Sequence, residues 1–322
     1  MRILRRLLIG LALAVAIPLG FLFYAWFGPG PLAGDKAFIV PQGAGLSVVS
    51  AMLEEQGAIS SATGFKIGAR ILGGGESLKA GEFLLPTGAS QATILDILQG
   101  GDVIRRMITI PEGMPSVLVY EKLMAEELLT GEIEVPREGS VLPDTYDFAR
   151  GESRASVLAR MQLAMVRELA ALWAKRSPRT VATSPAEAVI LAAIVEKETG
   201  KPSERRMVAG LYSNRIRQGM FLHADPTIIY PMTKGKPLGR RIRQSEIQAI
   251  NGYNTYTMPG LPVGPITNPG REAIAAVLDP AETRALFMVA DGSGGHAFAD
   301  TLVEHNANVA KWFAIRRARG EM

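Results

Sequence analysis

Apolar positions along this chain follow three regimes, and each predicts a different element. The first is continuous. Residues 7–27 read LLIGLALAVAIPLGFLFYAWF, with no charged residue. At ~1.5 Å of rise per residue, a helix of this length crosses a hydrocarbon layer of about 30 Å. Arg2, Arg5 and Arg6 precede it, and the next basic residue is Lys36. The positive-inside bias therefore predicts one transmembrane helix, with residues 1–6 as a cytoplasmic tail and the bulk of the chain outside. A cleaved signal peptide starts the same way. Its apolar core is shorter, however, and small residues would precede the cut where Phe23, Tyr24, Trp26 and Phe27 stand. Tyr24 and Trp26 are expected in an interfacial aromatic belt. The segment 28–35, opening GPGPLAG, reads as a linker.

The second regime is a short apolar run closed by Pro-x-Gly and followed by a helical period. It occurs three times: Phe38-Ile-Val-Pro-Gln-Gly43, Phe83-Leu-Leu-Pro-Thr-Gly88 and Met107-Ile-Thr-Ile-Pro-Glu-Gly113. Helical stretches follow, through Met52 and Leu53 in the first case, and over 92–98 and 117–129 in the others. Proline ends a strand because it has no N–H for the ladder, and glycine permits the positive φ of a turn into a helix. Strand, helix, helix, strand over 36–104 is the order of a small α+β module, with a spacer or docking role as its plainest reading. The remainder, 105–322, mixes helical stretches with loops and is Gly- and Pro-rich over 231–270. The expected fold class is α+β: a single N-terminal transmembrane helix, a small module, and a larger mixed α/β domain.

The third regime has the helical period, and 185–198 shows it with a clear start. Ser184-Pro185-Ala186-Glu187 supplies an N-cap, a proline in the first turn and a capping-box glutamate. Gly200 is a natural stop. At ~100° per residue, Glu198 falls near 220°, inside the stripe formed by Ile190, Leu191, Ile194 and Val195. Glu196 falls near 20°, on the opposite side with Val189, Ala192 and Ala193, and is expected to be solvated or structural. Glu198 is the misfit. Burial and the negative end of the helix dipole both favour its neutral form, and a carboxyl held protonated near neutrality is what a general acid needs. The competing reading is a buried carboxylate paired with Arg205, Arg206 or Arg215.

Composition narrows the field. There are 35 basic and 31 acidic residues and no cysteine. Three arginines sit in the tail, so the rest is nearly neutral and carries no basic run for nucleic acid. Without cysteine there is neither a disulfide framework nor a thiolate metal site. His223, His296 and His305 are too scattered along the sequence to suggest a metal site.

A series of motifs resembles the endolytic murein transglycosylases of the YceG-like type. They are Leu142-Pro-Asp-Thr-Tyr146, Glu196-Lys-Glu-Thr199, Ser203-Glu-Arg205, Val208-Ala-Gly-Leu-Tyr-Ser-Asn-Arg215, Ala224-Asp-Pro-Thr227, Tyr253-Asn-Thr-Tyr256, Asn268-Pro-Gly270, Gly294-Gly-His-Ala-Phe298 and Glu304-His-Asn306. The resemblance covers nearly the whole chain and marks 36–104 as a LysM-like module and 105–322 as the catalytic domain. It implies non-hydrolytic cleavage between N-acetylmuramic acid and N-acetylglucosamine of nascent peptidoglycan strands, leaving 1,6-anhydro ends. It also implies an inner-membrane protein with a periplasmic catalytic domain and no cofactor. Peptidoglycan synthases and divisome or elongasome proteins are its possible partners. The family's catalytic glutamate precedes Thr or Ser, which selects Glu198 before Thr199. Thr199, Asn214, His223, Asp225, Tyr253, Asn254 and Tyr256 are expected at the substrate; at His223 the family more often has Gln. Two rivals remain: a lysozyme-like muramidase with Asp225 or Glu304 as second carboxylate, and a non-catalytic membrane-anchored cell-wall binder.

Overall fold

The computed structural model describes residues 2–73, 75 and 77–321. The chain divides into two units, Met1–Arg106 with Asp147–Glu152, and Met107–Tyr146 with Ser153–Met322. The first unit opens with helix α1 (Arg2–Phe27), followed by β1 (Lys36–Val40), α2 (Leu46–Glu55), α3 (Ala62–Leu72), β2 (Gly81–Leu85) and α4 (Gln91–Gly100). β1 and β2 pair antiparallel with Phe38 opposite Phe83, so the two rings stack their burial on one face.

Within α1, Ile9–Phe27 is apolar enough and long enough to cross a membrane. Most of its side chains are exposed, as a span waiting for lipid would be. Trp26 departs from the interfacial role expected for it. It is buried against Phe65 and the backbone of α3, where a Cβ at Gly68 would overlap its ring. The base of the helix is thus socketed into the first unit's core. The 28–35 segment is tied down as well: Leu32 is buried, the Gly30 N–H donates to Gly88 O at 3.0 Å, and Thr87 donates to Asp35.

β3 (Arg105–Thr109) follows, and then the second unit's α5 (Ser116–Ala125); β3 forms a ribbon with β4 (Thr145–Ala149). All three Pro-x-Gly turns form as the pattern predicts, with φ of 76°, 68° and 71° at Gly43, Gly88 and Gly113. α5 stops four residues short of the periodic stretch. The Arg154 guanidinium donates to the carbonyls of Leu123, Met124, Glu126 and Gly131, satisfying the groups that would otherwise continue the helix.

The second unit continues with α6 (Arg154–Ala174), α7 (Pro185–Glu198), α8 (Arg205–Arg217), α9 (Asp225–Thr233), α10 (Gln244–Ile247) and α11 (Arg271–Leu278). The hairpin β5 (Phe287–Ala290) and β6 (His296–Ala299) and then α12 (Leu302–Ala318) complete it. α7 is its central helix, packed on α6, α8, α9 and α11. The 234–270 stretch is mostly irregular yet anchored, with Asn254, Thr255, Thr267 and Asn268 fully buried.

Candidate functional site

α7 starts where the sequence places it. The Ser184 side chain accepts from the Glu187 N–H, and Glu187 reaches back to Thr183 instead of to the cap residue. Its stop differs from expectation. Thr199 turns extended (φ −138°, ψ 125°) and accepts from the Lys201 N–H, while Gly200 takes no left-handed conformation. The two-sided wheel is also too simple. Val189, Leu191, Ala192, Ala193, Ile194 and Val195 are all buried, because the small side chains let neighbouring helices close on the flank opposite Glu198 as well. Glu196 is accordingly structural and not solvated. It accepts from the Gly270 N–H at 2.9 Å and lies 3.5 Å from Arg205, which is itself paired with Glu112 at 2.7 Å.

Glu198 takes the other side, at the last turn of α7. It lines a cleft of about 460 Å³ with Lys197, Tyr212, Arg215, His223, Asp225, Pro226, Tyr256, Met288 and His305. The carboxyl is enclosed apart from its face on the cleft. Burial pushes its pKa up to about 7; the nearby Asp225 charge adds to the rise, and Tyr212 and Arg215 oppose it. None of the arginines that might have neutralised it forms an ion pair with it among the described residues. Arg205 serves Glu112 and Glu196, and Arg206 serves Asp279. Arg215 donates from Nε to Leu286 O (2.6 Å) and from Nη1 to Leu222 O (2.7 Å) and Phe221 O (3.3 Å). Its positive charge is therefore fixed near Glu198 without clamping it.

The opposite wall is held by a buried hydroxyl network. The Ala224 N–H donates to Thr255 Oγ1 at 3.0 Å, Thr227 Oγ1 donates to Ala224 O at 2.6 Å, and the two threonine hydroxyls meet at 2.9 Å. This locks the Ala224–Thr227 turn to the Tyr253–Tyr256 loop. It sets Asp225, in the first turn of α9, where the Tyr256 hydroxyl donates to it at 2.6 Å. His223 sits between Phe221 and Tyr256, its ring stacked 5.8 and 4.6 Å from theirs. Its φ of 53° is a left-handed conformation that costs about 1 kcal/mol or more outside glycine. Burial, with Arg215, holds the imidazole below its ordinary pKa.

Of the residues expected at the substrate, the fold gathers Glu198, His223, Asp225 and Tyr256 around the cleft. The other four have their polar groups engaged within the protein. The Asn214 amide donates to Thr283 O and Ala285 O. The Asn254 amide donates to the carbonyls of Ile247 and Ala249, and its oxygen accepts from the Tyr256 N–H. Tyr253 packs on Tyr230 at 4.8 Å. Thr199 is buried beside Glu204, which accepts from His296 Nδ1 at 2.8 Å. Glu304, the other candidate second carboxylate, caps α12 through the backbone of Asp300 and Thr301. Sequence reasoning did not single out Tyr212 for the cleft, considered Arg215 only as an ion-pair partner, and saw no link between His223 and His305. The one available signal was that Tyr212 and Arg215 stand one helical turn apart, at i and i+3.

Set beside known proteins, the chain matches the YceG-like family over residues 38–311. A Bacillus subtilis relative named endolytic murein transglycosylase is 23% identical over 312 residues, covering 87% of this chain and 85% of its own length. A Streptococcus pneumoniae relative of the same name is 25% identical over 331 residues; 87% of this chain aligns with only 59% of that protein. The crystal structure of a YceG-like protein from Listeria monocytogenes shares the fold, with a TM-score of 0.52 at 24% identity over 85% of this chain and 98% of that one. The family match runs from within β1 into α12 and takes in every residue that lines the cleft, so this chain belongs to the YceG-like family.

Proposed function

We propose that this chain is a membrane-anchored endolytic lytic transglycosylase of peptidoglycan, with Glu198 as its catalytic acid and base. The observation that carries this reading is a single enclosed carboxyl, free of any ion pair among the described residues, held near a pKa of about 7 on a cleft. Hydrolytic glycosidases divide acid and nucleophile or base between two carboxyl groups. A lytic enzyme needs one. Glu198 protonates the glycosidic oxygen as its bond to C1 of N-acetylmuramic acid breaks. The substrate's own N-acetyl carbonyl supports the positive centre. The Glu198 carboxylate then takes the proton of the C6 hydroxyl as that oxygen closes on C1, so the acid is regenerated and no water is consumed.

Asp225, His223 and Tyr256 are proposed to bind the sugar. The stacked Phe221, His223 and Tyr256 rings offer an apolar face of the kind pyranose rings pack on, and Asp225 offers an acceptor for a hydroxyl. The β1–α2–α3–β2 order supports a LysM-like module. The Ile9–Phe27 helix and its arginine flank support a single-pass inner-membrane anchor, with the catalytic unit in the periplasm near newly made strands. Peptidoglycan synthases and divisome or elongasome proteins are fitting neighbours for that location.

Asp225 keeps one alternative in play, because a second carboxylate on the same cleft is what a muramidase would use. Digestion of purified glycan strands separates the readings. The transglycosylase leaves ends lighter by one water than a muramidase does, and Glu198→Gln abolishes cleavage. Cleavage by that variant at the wild-type rate would remove Glu198 from the mechanism, and a wild-type chain that binds strands without cutting them would be a binder.

A further inference from the structure

His305 belongs to no role assigned so far, yet it lines the cleft with Glu198. The start of α12 sets it there. Thr301 and Glu304 form a capping box, each side chain accepting from the other's backbone N–H, and the His305 N–H closes the first turn on Thr301 O at 3.0 Å. The imidazole stacks on Phe287 of β5, with 5.3 Å between ring centres and 26° between planes. The Arg215 guanidinium lies over the same Phe287 ring at 5.5 Å. His305 Nδ1 is sealed from solvent and has no hydrogen-bond partner among the described residues. We propose that His305 is a specificity residue of the cleft, whose neutral ring presents a fixed Nε2–H donor to the carbonyl oxygen of an N-acetyl group on the bound strand. The inference rests on the function proposed above.

A neutral imidazole has one N–H and one bare nitrogen, and the cation has two N–H groups. A proton on Nδ1 would be a buried donor with nothing to meet, which folded proteins avoid more strictly than a bare acceptor. The cation would add a charge in the first turn of α12, at the positive end of the helix dipole. Burial and the Arg215 charge also hold the imidazole below its ordinary pKa. The proton therefore belongs on Nε2. Because the ring lines the cleft, Nε2 is the nitrogen that a ligand can meet. A donor that cannot turn into an acceptor selects a partner that only accepts. Sugar hydroxyls donate and accept, whereas an acetamido carbonyl only accepts. Neighbouring donors are already engaged: Arg215 Nε and Nη1 on backbone carbonyls, and the Tyr256 hydroxyl on Asp225. A neutral donor also adds no positive charge that would favour ionisation of Glu198.

Nitrogen NMR of the full chain in detergent, with labelled histidine, reads the tautomer directly, and His305→Gln identifies the signals among the three histidines. The neutral Nε2–H form is expected near neutral pH; the Nδ1–H form or the cation overturns the proposal. Strand binding is then measured with the Glu198→Gln chain, using glycan strands before and after chemical de-N-acetylation, with re-acetylated strands as the control. Adding His305→Phe, which keeps a ring on Phe287, should weaken binding of acetylated strands about 3- to 10-fold and leave de-N-acetylated strands unaffected. His305→Gln, whose amide can donate from near the place of Nε2, should recover most of the loss. His305→Asn, whose amide sits near the place of Nδ1, should not, and this pair decides if the Phe variant folds poorly. Equal weakening on both kinds of strand, or none on acetylated ones, overturns the proposal. If Glu198→Gln still cuts strands, initial binding still decides on His305, and it is the role of Glu198 that fails.

Discussion

Replacing Glu198 by Gln should stabilise the protein while silencing it, and the size and pH dependence of that gain follow from the site. The folded carboxyl titrates near 7 against an ordinary value of 4.5. At ~1.36 kcal/mol per unit, the fold bears a penalty of up to about 3 kcal/mol when this group must ionise. The sign is set by linkage: the native state holds the proton more tightly than the unfolded chain, so stability falls as pH rises from about 4.5 to about 7 and stays reduced above. Gln keeps the shape but has nothing to ionise. Variant and wild type should therefore unfold alike near pH 4, and the variant should be the more stable by up to about 3 kcal/mol near pH 8. Urea unfolding of the second unit, followed by the fluorescence of Trp173 packed on its core, measures both. A difference that is flat with pH, or that grows toward acid, would refute the claim that burial holds this carboxyl neutral.

Other consequences follow from the same geometry. The wild-type rate should fall on the alkaline side with a midpoint near 7, since the acid form is the one that protonates the leaving oxygen. Thr227→Val strips the hydroxyl that meets Ala224 O, the Thr255 N–H and Thr255 Oγ1, and should cost about 1–3 kcal/mol by chemical denaturation while loosening Asp225. Asn268→Leu leaves the buried Val141 N–H without its partner and removes the amide bond to Met114 O; a loss of similar size is expected, with the pH profile of the folded fraction unchanged. Gly68→Ala drives a methyl group into Trp26 and should lower the melting temperature of the first unit, read by its near-ultraviolet circular dichroism, without touching the rate.

Much of this was legible in the sequence, for identifiable reasons. Proline and glycine impose backbone terms that context rarely overrides, so all three Pro-x-Gly turns formed as written. Glu198 was legible because a carboxylate inside an apolar stripe has few places to go. The periodicity left the other flank of α7 open, since alanines read as neutral on a wheel but mark where helices approach closest, and Glu196 took the structural of its two expected roles there. It overran the end of α5 because the residue that stops that helix, Arg154, lies far along the chain. The roles of Asn214 and Asn254 turned on which carbonyls lay opposite their amides, and that is decided by tertiary packing. Tyr212 escaped notice for the complementary reason: an aromatic ring on a buried helix face looks like core until a cleft is seen to open onto it.

The measurement that bears most directly on the central claim is digestion of glycan strands in water enriched in heavy oxygen, with the new ends weighed at once. Ring closure by the substrate's own hydroxyl predicts anhydro ends that carry no label and lack the mass of one water. Ends that are heavier by a labelled water would show that water attacks the sugar, and a single carboxyl working as both acid and base would no longer describe this site.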